Sequence, residues 1–293
     1  MANKHFGNIG DIWKHLPLAE ILAIEGPRAY WESHAGSARY ALTPSCERDY
    51  GVFSFLERAS RSRLLSSSRF RLLLDELKGT DASLGVYPGS PLIAMMTLEN
   101  AASYFFCDLD GGSLATVRES ARSLGITGGR LRCAQSDGTA TLLEALERLS
   151  GDDAGQTLIF IDPFETEPSS LELFSRAAAL GAKVLLWYGF DSSAKQESLR
   201  ELVGRCLAHH GTEGAVSRLW FGEVHLRDLD GRDPSFNPGV RGCGIVCANL
   251  SDRAVRASAE LGRELARTYE GASLPSGGSG ALDFRSLPGR VPA

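Results

Sequence analysis

The feature that most constrains the fold is an alternation of short apolar runs with amphipathic helical segments. Most runs are followed by a turn and then by apolar residues at helical spacing, and this order favours a parallel sheet covered by helices. Strands are predicted at residues 28–33, 104–108, 130–134, 157–162, 183–188, 216–226 and 244–250. Helices are predicted at residues 113–124, 139–149, 169–180, 193–209 and 252–269.

The last two strands have no helix between them, so a hairpin across residues 228–241 is expected. Five parallel strands and a terminal antiparallel pair make the seven-stranded, Rossmann-like sheet of the class I methyltransferase fold. We expect residues 1–40 and 99–272 to form this domain. Residues 41–98, with helical runs such as 69–78, would be a helical insertion after the first strand, and the Gly-, Ser- and Pro-rich segment 273–293 a mobile tail.

Composition narrows the class of protein. The chain has 31 Lys and Arg against 36 Asp and Glu, a net charge of −5, which weakens the case for a large nucleic-acid footprint. No apolar run reaches the ~18 residues of a membrane span, and the first residues lack the apolar stretch of a signal peptide. A soluble, cytoplasmic protein is expected.

The six cysteines form no CxxC pair, which indicates reduced and mostly buried thiols. A zinc site built from Cys243, Cys247, His209 and His210 is conceivable. It is disfavoured because structural zinc sites prefer more closely spaced cysteines, and no metal is predicted.

Small residues follow the first strand, in the segment Ser33-His34-Ala35-Gly36-Ser37. Such a turn lets the backbone approach a cofactor closely, although an ordinary strand–helix loop would have the same composition. The segment is not GxGxxG, so a dinucleotide site, and with it a dehydrogenase, is poorly supported.

Acidic residues end the second and third strands. Asp108 could accept both hydroxyls of a ribose, or it could cap the helix that starts near Ser113. Asp137 could accept from an exocyclic amine of adenine while the Gly138 amide donates to a ring nitrogen, or the pair could be only a turn signal.

The fourth strand ends in Asp162-Pro163-Phe164-Glu165. The Asp162 carboxylate and the Pro163 carbonyl would place two acceptors side by side, which suits the N–H groups of a substrate amine. A helix-capping Asp162 is the alternative. Together, the acids after strands two and three and the Asp-Pro after strand four point to S-adenosylmethionine with an amine acceptor.

From about His5 to about Tyr269 the chain resembles the 23S rRNA adenine-N6 methyltransferases of the RlmJ type. Besides Leu186-Trp187-Tyr188, three motifs carry the resemblance: His5-Phe6-Gly7-Asn8-Ile9-Gly10-Asp11-Ile12-Trp13-Lys14-His15, Ser33-His34-Ala35-Gly36-Ser37-Ala38-Arg39-Tyr40 and Tyr87-Pro88-Gly89-Ser90-Pro91-Leu92-Ile93-Ala94.

The resemblance implies a Rossmann-like methyltransferase with a helical insertion at 41–98. The cofactor contacts that it implies are His15, His34, Gly36, Ser90, Asp108, Asp137, Gly138 and Asp162. Asp162 would hold the target amine and carry the catalysis. Substrate contacts would come from Lys14, Pro163, Phe164, Glu165 and Tyr188. For the two histidines, a core or capping role is the alternative.

The sequence departs from the family at the catalytic box, where the family has Asp-Pro-Pro-Tyr. Glu165 stands at the base-stacking position and cannot stack, although Phe164 could substitute. A carboxylate there suits a cationic acceptor, while a local patch of Arg61, Arg63, Arg69 and Arg71 could still grip RNA.

Three hypotheses follow. The first is an N-methyltransferase retargeted to a small-molecule or peptide amine. The second keeps the family activity on an adenine of 23S rRNA. The third is a protein that binds S-adenosylmethionine without catalysis, against which the retained acids Asp108, Asp137 and Asp162 argue.

Overall fold

A computed structural model describes residues 5–81, 83–126, 129–209, 219–227, 241–273 and 279–289. Its main feature is one nine-stranded sheet in the order β10-β11-β8-β9-β7-β6-β1-β4-β5. Strands β5, β4, β1, β6 and β7 are parallel neighbours, and β9 is antiparallel to both β7 and β8. The sheet is α/β with antiparallel late strands, and its strand order and directions are those expected from the sequence for a class I methyltransferase-like fold.

All seven predicted strands are present, and two further strands extend the sheet. The sheet strands are β1 (Ala29–Glu32), β4 (Ser103–Asp108), β5 (Leu131–Gln135), β6 (Thr157–Ile161), β7 (Lys183–Phe190), β8 (Leu219–Arg227), β9 (Gly242–Ala248), β10 (Ala272–Ser273) and β11 (Ser279–Pro288). A separate antiparallel pair consists of β2 (Arg39–Ala41) and β3 (Val86–Pro88). The predicted start of β8 at 216 and most of the hairpin loop 228–241 lie outside the described residues.

Helices surround the sheet. They are α1 (Ile9–Glu25), α2 (Cys46–Arg48), α3 (Ser54–Ala59), α4 (Arg63–Ser66), α5 (Arg69–Lys78), α6 (Ser90–Leu98), α7 (Gly111–Ser123), α8 (Gly138–Leu146), α9 (Gly151–Gly155), α10 (Pro168–Ala179), α11 (Ser193–His209) and α12 (Asp252–Thr268). A π-helical turn (Asp49–Phe53) joins α2 to α3, and a 3₁₀ turn (Glu99–Ala101) follows α6. None of the helices in the described ranges is long and apolar enough to cross a membrane.

Two apolar cores lie on the two faces of the sheet. One is built from α1, α6, α7 and α12, and the other from α8, α10 and α11. Segment 41–98 shares the first core, because its Phe55, Phe70 and Tyr87 belong to the same buried cluster as α1. The segment also holds β3, so it is not purely helical.

The sequence predicts a mobile tail from residue 273, but the structure places residues 279–288 in the sheet. β11 pairs with β8 from Ala281 to Pro288, and Phe284 packs edge-on against Trp13 at a ring distance of 5.0 Å. The Gly, Ser and Pro of the tail hide the alternation of apolar residues that makes this strand. Residues 274–278 and 290–293 of the expected tail lie outside the described residues.

The first helix is the element that carries the N-terminal motif to the sheet. The Asn8 side chain caps it by accepting from the Asp11 amide (2.9 Å), and Gly26 ends it in the left-handed conformation. Trp13 anchors it by donating from Nε1 to the Gly222 carbonyl (3.2 Å). Lys14 therefore faces the carboxyl edge of the sheet.

Candidate active site

Four of the strand ends singled out from sequence lie next to one another. β6, β1, β4 and β5 are consecutive parallel neighbours, so the turns that follow them meet at one edge of the sheet. We call this the ligand edge: the turns after β1, β4, β5, β6 and β7, together with residues 9–14 of α1. It brings His34, Asp108, Asp137 and Asp162 together, while several other predicted residues lie elsewhere.

Asp108 links two turns of the ligand edge. Its Oδ2 accepts from the Gly36 amide (2.7 Å) and its Oδ1 accepts from the Asp110 amide (2.8 Å). The helix cap is Asp110, whose carboxylate accepts from the Gly112 and Ser113 amides, so the capping alternative does not apply to Asp108. A carboxylate has about four lone-pair sites, and Asp108 therefore keeps acceptor capacity for ribose hydroxyls.

The turn after β5 is pressed against the turn after β1. A Cβ at Gly138 would lie 1.7 Å from the Ser33 carbonyl oxygen, so only glycine allows this approach. Asp137 is exposed and caps α8 by accepting from the Ala140 amide (3.1 Å). Its structural role is thus a cap, and its second oxygen Oδ2 is not used by this bond.

His34 lies at the centre of the ligand edge, and its Nδ1 is 2.8 Å from the Ser33 hydroxyl. Burial lowers its pKa, and four carboxylates oppose this effect: Asp162, Asp108, Asp137 and Glu167. The four carboxylates therefore make the electrostatic potential at this histidine negative, although burial has the larger effect on its pKa.

Asp162 is not a helix cap; the N-cap of α10 is Glu167. Instead its Oδ2 accepts from Lys14 Nζ at 2.8 Å, and Lys14 Nζ is also 3.0 Å from Asp11 Oδ1. The side chains of Lys14, Asp11 and Asp162 are only 12%, 13% and 14% exposed. Burial alone would lower the pKa of Lys14, but the two carboxylates outweigh it and hold the pKa well above its ordinary value.

His15 and Ser90 lie behind the ligand edge. His15 is 3% exposed, and its Nδ1 is 2.8 Å from the Tyr87 hydroxyl; burial lowers its pKa. The Ser90 hydroxyl donates to Oε1 of Glu32, a residue that the sequence analysis did not select. In this structure both side chains therefore make contacts inside the protein.

Glu32 is fully buried at the end of β1, where it also accepts from the Tyr30 hydroxyl (3.1 Å). Burial raises its pKa well above the usual range, and Asp162 adds to that rise. Because the pKa is raised, the folded state binds a proton that the unfolded state releases. This stabilisation is complete below about pH 4.5 and is lost as the pH rises through the folded-state pKa.

Replacing Glu32 with glutamine is expected to remove this pH dependence and keep both partners, with the amide oxygen accepting from one hydroxyl and the amide nitrogen donating to the other. The free energy of unfolding of Glu32→Gln should exceed that of the wild type by an amount that grows from pH 5 to pH 8, on the order of 1 kcal/mol or more at the upper end. Urea denaturation at the two pH values measures it. A constant difference would contradict a buried, proton-binding Glu32.

The residue of β7 that faces the ligand edge is Trp187 and not the predicted Tyr188. Tyr188 is 1% exposed and reaches over Gly244 to donate from its hydroxyl to Glu223 (2.6 Å), so it does not line the ligand edge. Trp187 faces the site instead, with its ring centroid 5.5 Å from Lys14 Nζ. Side chains alternate along a strand, and a shift of one residue exchanges the two faces.

The turn after β6 exposes the residues at which the sequence departs from the Asp-Pro-Pro-Tyr box of the RlmJ type. Pro163 is buried, whereas Glu165 is exposed and Phe164 is 90% exposed. Leu109, which the sequence analysis missed, is likewise 74% exposed directly after Asp108. A large apolar residue at the end of an otherwise buried strand was its signal.

The ligand edge is strongly acidic. It contains one lysine, Lys14, and seven carboxylates: Asp11, Asp110, Asp137, Asp162, Glu165, Glu167 and Asp191. Asp108, at the end of β4, makes the eighth, while the fully buried Glu32 is not counted. Even so, no group of three or more His, Cys, Asp or Glu in the described ranges is arranged to hold a metal ion. Cys243 and Cys247 are buried in β9, and burial raises the pKa of Cys243 to about 12; His210 lies outside the described residues.

The side chains at the ligand edge fit S-adenosylmethionine. Asp108 has lone pairs for ribose hydroxyls, Leu109 offers apolar surface for a flat ring, and the carboxylates around His34 suit a cationic sulfonium. The crossing at Gly138 also brings two turns close together without side chains in the way.

Comparisons with known proteins agree on the fold. No model of a known protein family matches the chain, and no curated protein is significantly similar to it in sequence. Solved structures that are similar to this chain include protein LPL1258 of Legionella pneumophila, described under the family model DUF519. It is 20% identical, with a TM-score of 0.72 over 97% of this chain and 98% of that one.

More distant structures include a SAM-dependent methyltransferase of Agrobacterium tumefaciens, 13% identical with a TM-score of 0.41 over 81% of this chain and 61% of that one. An O-methyltransferase of Bacillus cereus is 10% identical, with a TM-score of 0.38 over 80% of each chain. Both TM-scores lie below 0.5. The chain thus has the overall fold of the Legionella DUF519 protein, with a methyltransferase-like sheet at its centre.

Proposed function

We propose that the protein is an S-adenosylmethionine-dependent N-methyltransferase on an RlmJ-like frame, acting on an amine of a small molecule or peptide. The support for the frame is the similarity to a DUF519 protein, since DUF519 is the RlmJ family, together with the sequence motifs. The support for an amine is Asp162-Pro163 at the end of the fourth parallel strand, at the centre of an acidic edge.

S-adenosylmethionine, when bound, supplies an electrophilic methyl group whose carbon–sulfur bond breaks as the nitrogen–carbon bond forms. Asp162 and the Pro163 carbonyl hold the N–H groups of the acceptor and so orient its lone pair. An alkylammonium ion has no lone pair, so a protonated acceptor first gives one proton to Asp162, which passes it to solvent. The neutral amine then accepts the methyl group and leaves as the methylated ammonium ion. Most of the rate enhancement then comes from orientation, because the donor is already activated.

The negative charge of the ligand edge is the observation that supports an amine as the acceptor. Eight carboxylates against one lysine attract a cationic amine and repel a phosphate backbone. Of the arginines that could form an RNA patch on segment 41–98, Arg71 pairs with Asp75 and Arg69 donates to the Met96 carbonyl (2.8 Å). Arg61 pairs with Glu57 (2.6 Å) at the surface, and Arg63 is exposed, so these two arginines stay accessible. The acidic ligand edge itself favours an amine acceptor over RNA.

The test uses labelled S-adenosylmethionine with purified protein, a panel of alkylamines and basic peptides, and protein-free 23S rRNA that lacks the methyl mark. Transfer to an amine and none to RNA is the expected result. Transfer to a single adenine only would overturn the retargeting. Binding of S-adenosylhomocysteine in calorimetry, without transfer to either class, would instead favour a non-catalytic protein.

Reversing the charge at Glu165 is expected to separate the two acceptor classes. Glu165→Lys should raise KM for a cationic acceptor about fivefold to tenfold at low ionic strength, and the effect should shrink in high salt. Any transfer to RNA should increase. Glu119→Lys makes the same charge change on exposed α7, away from the ligand edge, and should change neither value. Equal effects of both variants would rule out a local role for Glu165.

One observation favours the second candidate, methylation of an adenine in 23S rRNA at N6. Phe164 is 90% exposed beside Asp162, where an aromatic ring could stack on a flat base. In that case Phe164→Leu should reduce transfer to RNA, whereas Phe164→Tyr should preserve it.

A further inference from the structure

An ammonium group already occupies the place beside Asp162. Lys14 Nζ lies 2.8 Å from Asp162 Oδ2 and 3.0 Å from Asp11 Oδ1, with the Trp187 ring centroid at 5.5 Å. Two carboxylates and an aromatic ring are the groups that recognise an alkylammonium ion. We call this group, Asp11, Asp162 and Trp187, the ammonium seat.

We propose that Lys14 is an internal stand-in for the acceptor, so that the acceptor is a primary alkylamine that binds in its ammonium form, displaces Lys14 from Asp162 and gives Asp162 one proton before it accepts the methyl group. The acceptor class is then a small alkylamine or a lysine side chain of a peptide. The proposal rests on the proposed function, and it narrows the amine to one whose nitrogen is carried on a flexible alkyl chain, as in lysine itself.

The geometry gives Lys14 a second position to occupy. Asp11 is held independently of Asp162, because its Oδ2 accepts from the Gly7 amide (2.8 Å) and its own amide is bound by Asn8. Lys14 can therefore leave Asp162 and keep an ion pair with Asp11. A single carboxylate would not allow this, because leaving it would strand a nearly buried ammonium at high cost.

Chemical rescue tests the seat without any assay of methyl transfer. Lys14→Ala removes a fragment equivalent to n-propylammonium, so n-propylammonium chloride should bind the variant and raise its Tm by about 3 °C at saturation. Lys14→Met retains most of the stem and removes the charged end. That variant should respond to ammonium chloride instead and not to n-propylammonium, so it serves if Lys14→Ala fails to fold.

Tetramethylammonium chloride at equal ionic strength is the control for salt, since it is too large and has no N–H to donate. The double variant Lys14→Ala/Asp162→Asn should lose the response to n-propylammonium. No size-matched rescue of either single variant would overturn the proposal.

Calorimetry with S-adenosylhomocysteine on the same variants distinguishes failure of the Lys14 assignment from failure of the proposed function. Binding of this compound without rescue would overturn only the assignment of Lys14 as a stand-in. Rescue without binding of this compound by variants or wild type would overturn the proposed function, and with it the assignment of an acceptor.

Discussion

Asp162→Asn is expected to reduce the rate of methyl transfer by about 10²- to 10⁴-fold, the usual contribution of a positioned acid–base group. Asparagine has nearly the same size, but its amide cannot take the proton that the acceptor nitrogen releases. It also places N–H donors or a weaker oxygen acceptor where the amine must bind. The rate is measured with labelled S-adenosylmethionine and whichever acceptor the panel identifies.

The fold should survive this change, because Lys14 keeps its contact with Asp11. Calorimetry with S-adenosylhomocysteine should therefore give an affinity close to that of the wild type. Asp283→Asn is the matched control and should retain full activity, because Asp283 is a half-buried acid on β11, away from the ligand edge. An Asp162→Asn variant as active as this control would remove Asp162 from the mechanism.

Removing the last strand is expected to have the largest effect on stability. A chain that ends at residue 278 loses the pairing of β11 with β8 and leaves Trp13 and the Gly262 side of α12 without Phe284. We expect this chain to be insoluble or to melt more than ~10 °C below the full chain. Phe284→Ala alone should reduce the free energy of unfolding by about 3 kcal/mol in urea denaturation.

Arg285→Ala is the matched control for Phe284→Ala, since Arg285 is the exposed neighbour on the same strand and should change stability by less than about 0.5 kcal/mol. If the shortened chain had the same Tm as the full chain, β11 would contribute nothing to stability, as the composition of the tail suggests.

The parts of the site that sequence could predict are those that depend on local order. An acid directly after an apolar strand lies at the carboxyl edge of a parallel sheet, and this placed Asp108, Asp137 and Asp162 correctly at one edge. The role of each acid was harder to predict, because an acid that follows a strand can also cap the next helix. Asp110 and not Asp108 caps α7, while Asp137 does cap α8.

Contacts between distant parts of the chain could not be predicted from such patterns. Lys14 and Asp162 are 148 residues apart, and nothing in either segment indicates that they pair. Pro17 inside α1 also disguises that helix, since proline is normally excluded from helix interiors. Tyr188 differs from Trp187 only by strand phase, which depends on what lies on each face of the sheet.

The first helix depends on the end of the chain. Trp13 is held by the Gly222 carbonyl in β8 and by Phe284 in β11, and α1 packs along α12. During synthesis, Trp13 is made 209 residues before Gly222, and Phe284 follows later still. Trp13 therefore reaches its anchors only after β8 and β11 have been synthesised. A chain that stopped before β11 would lack the Phe284 contact that helps to hold α1, and with it Lys14, at the ligand edge.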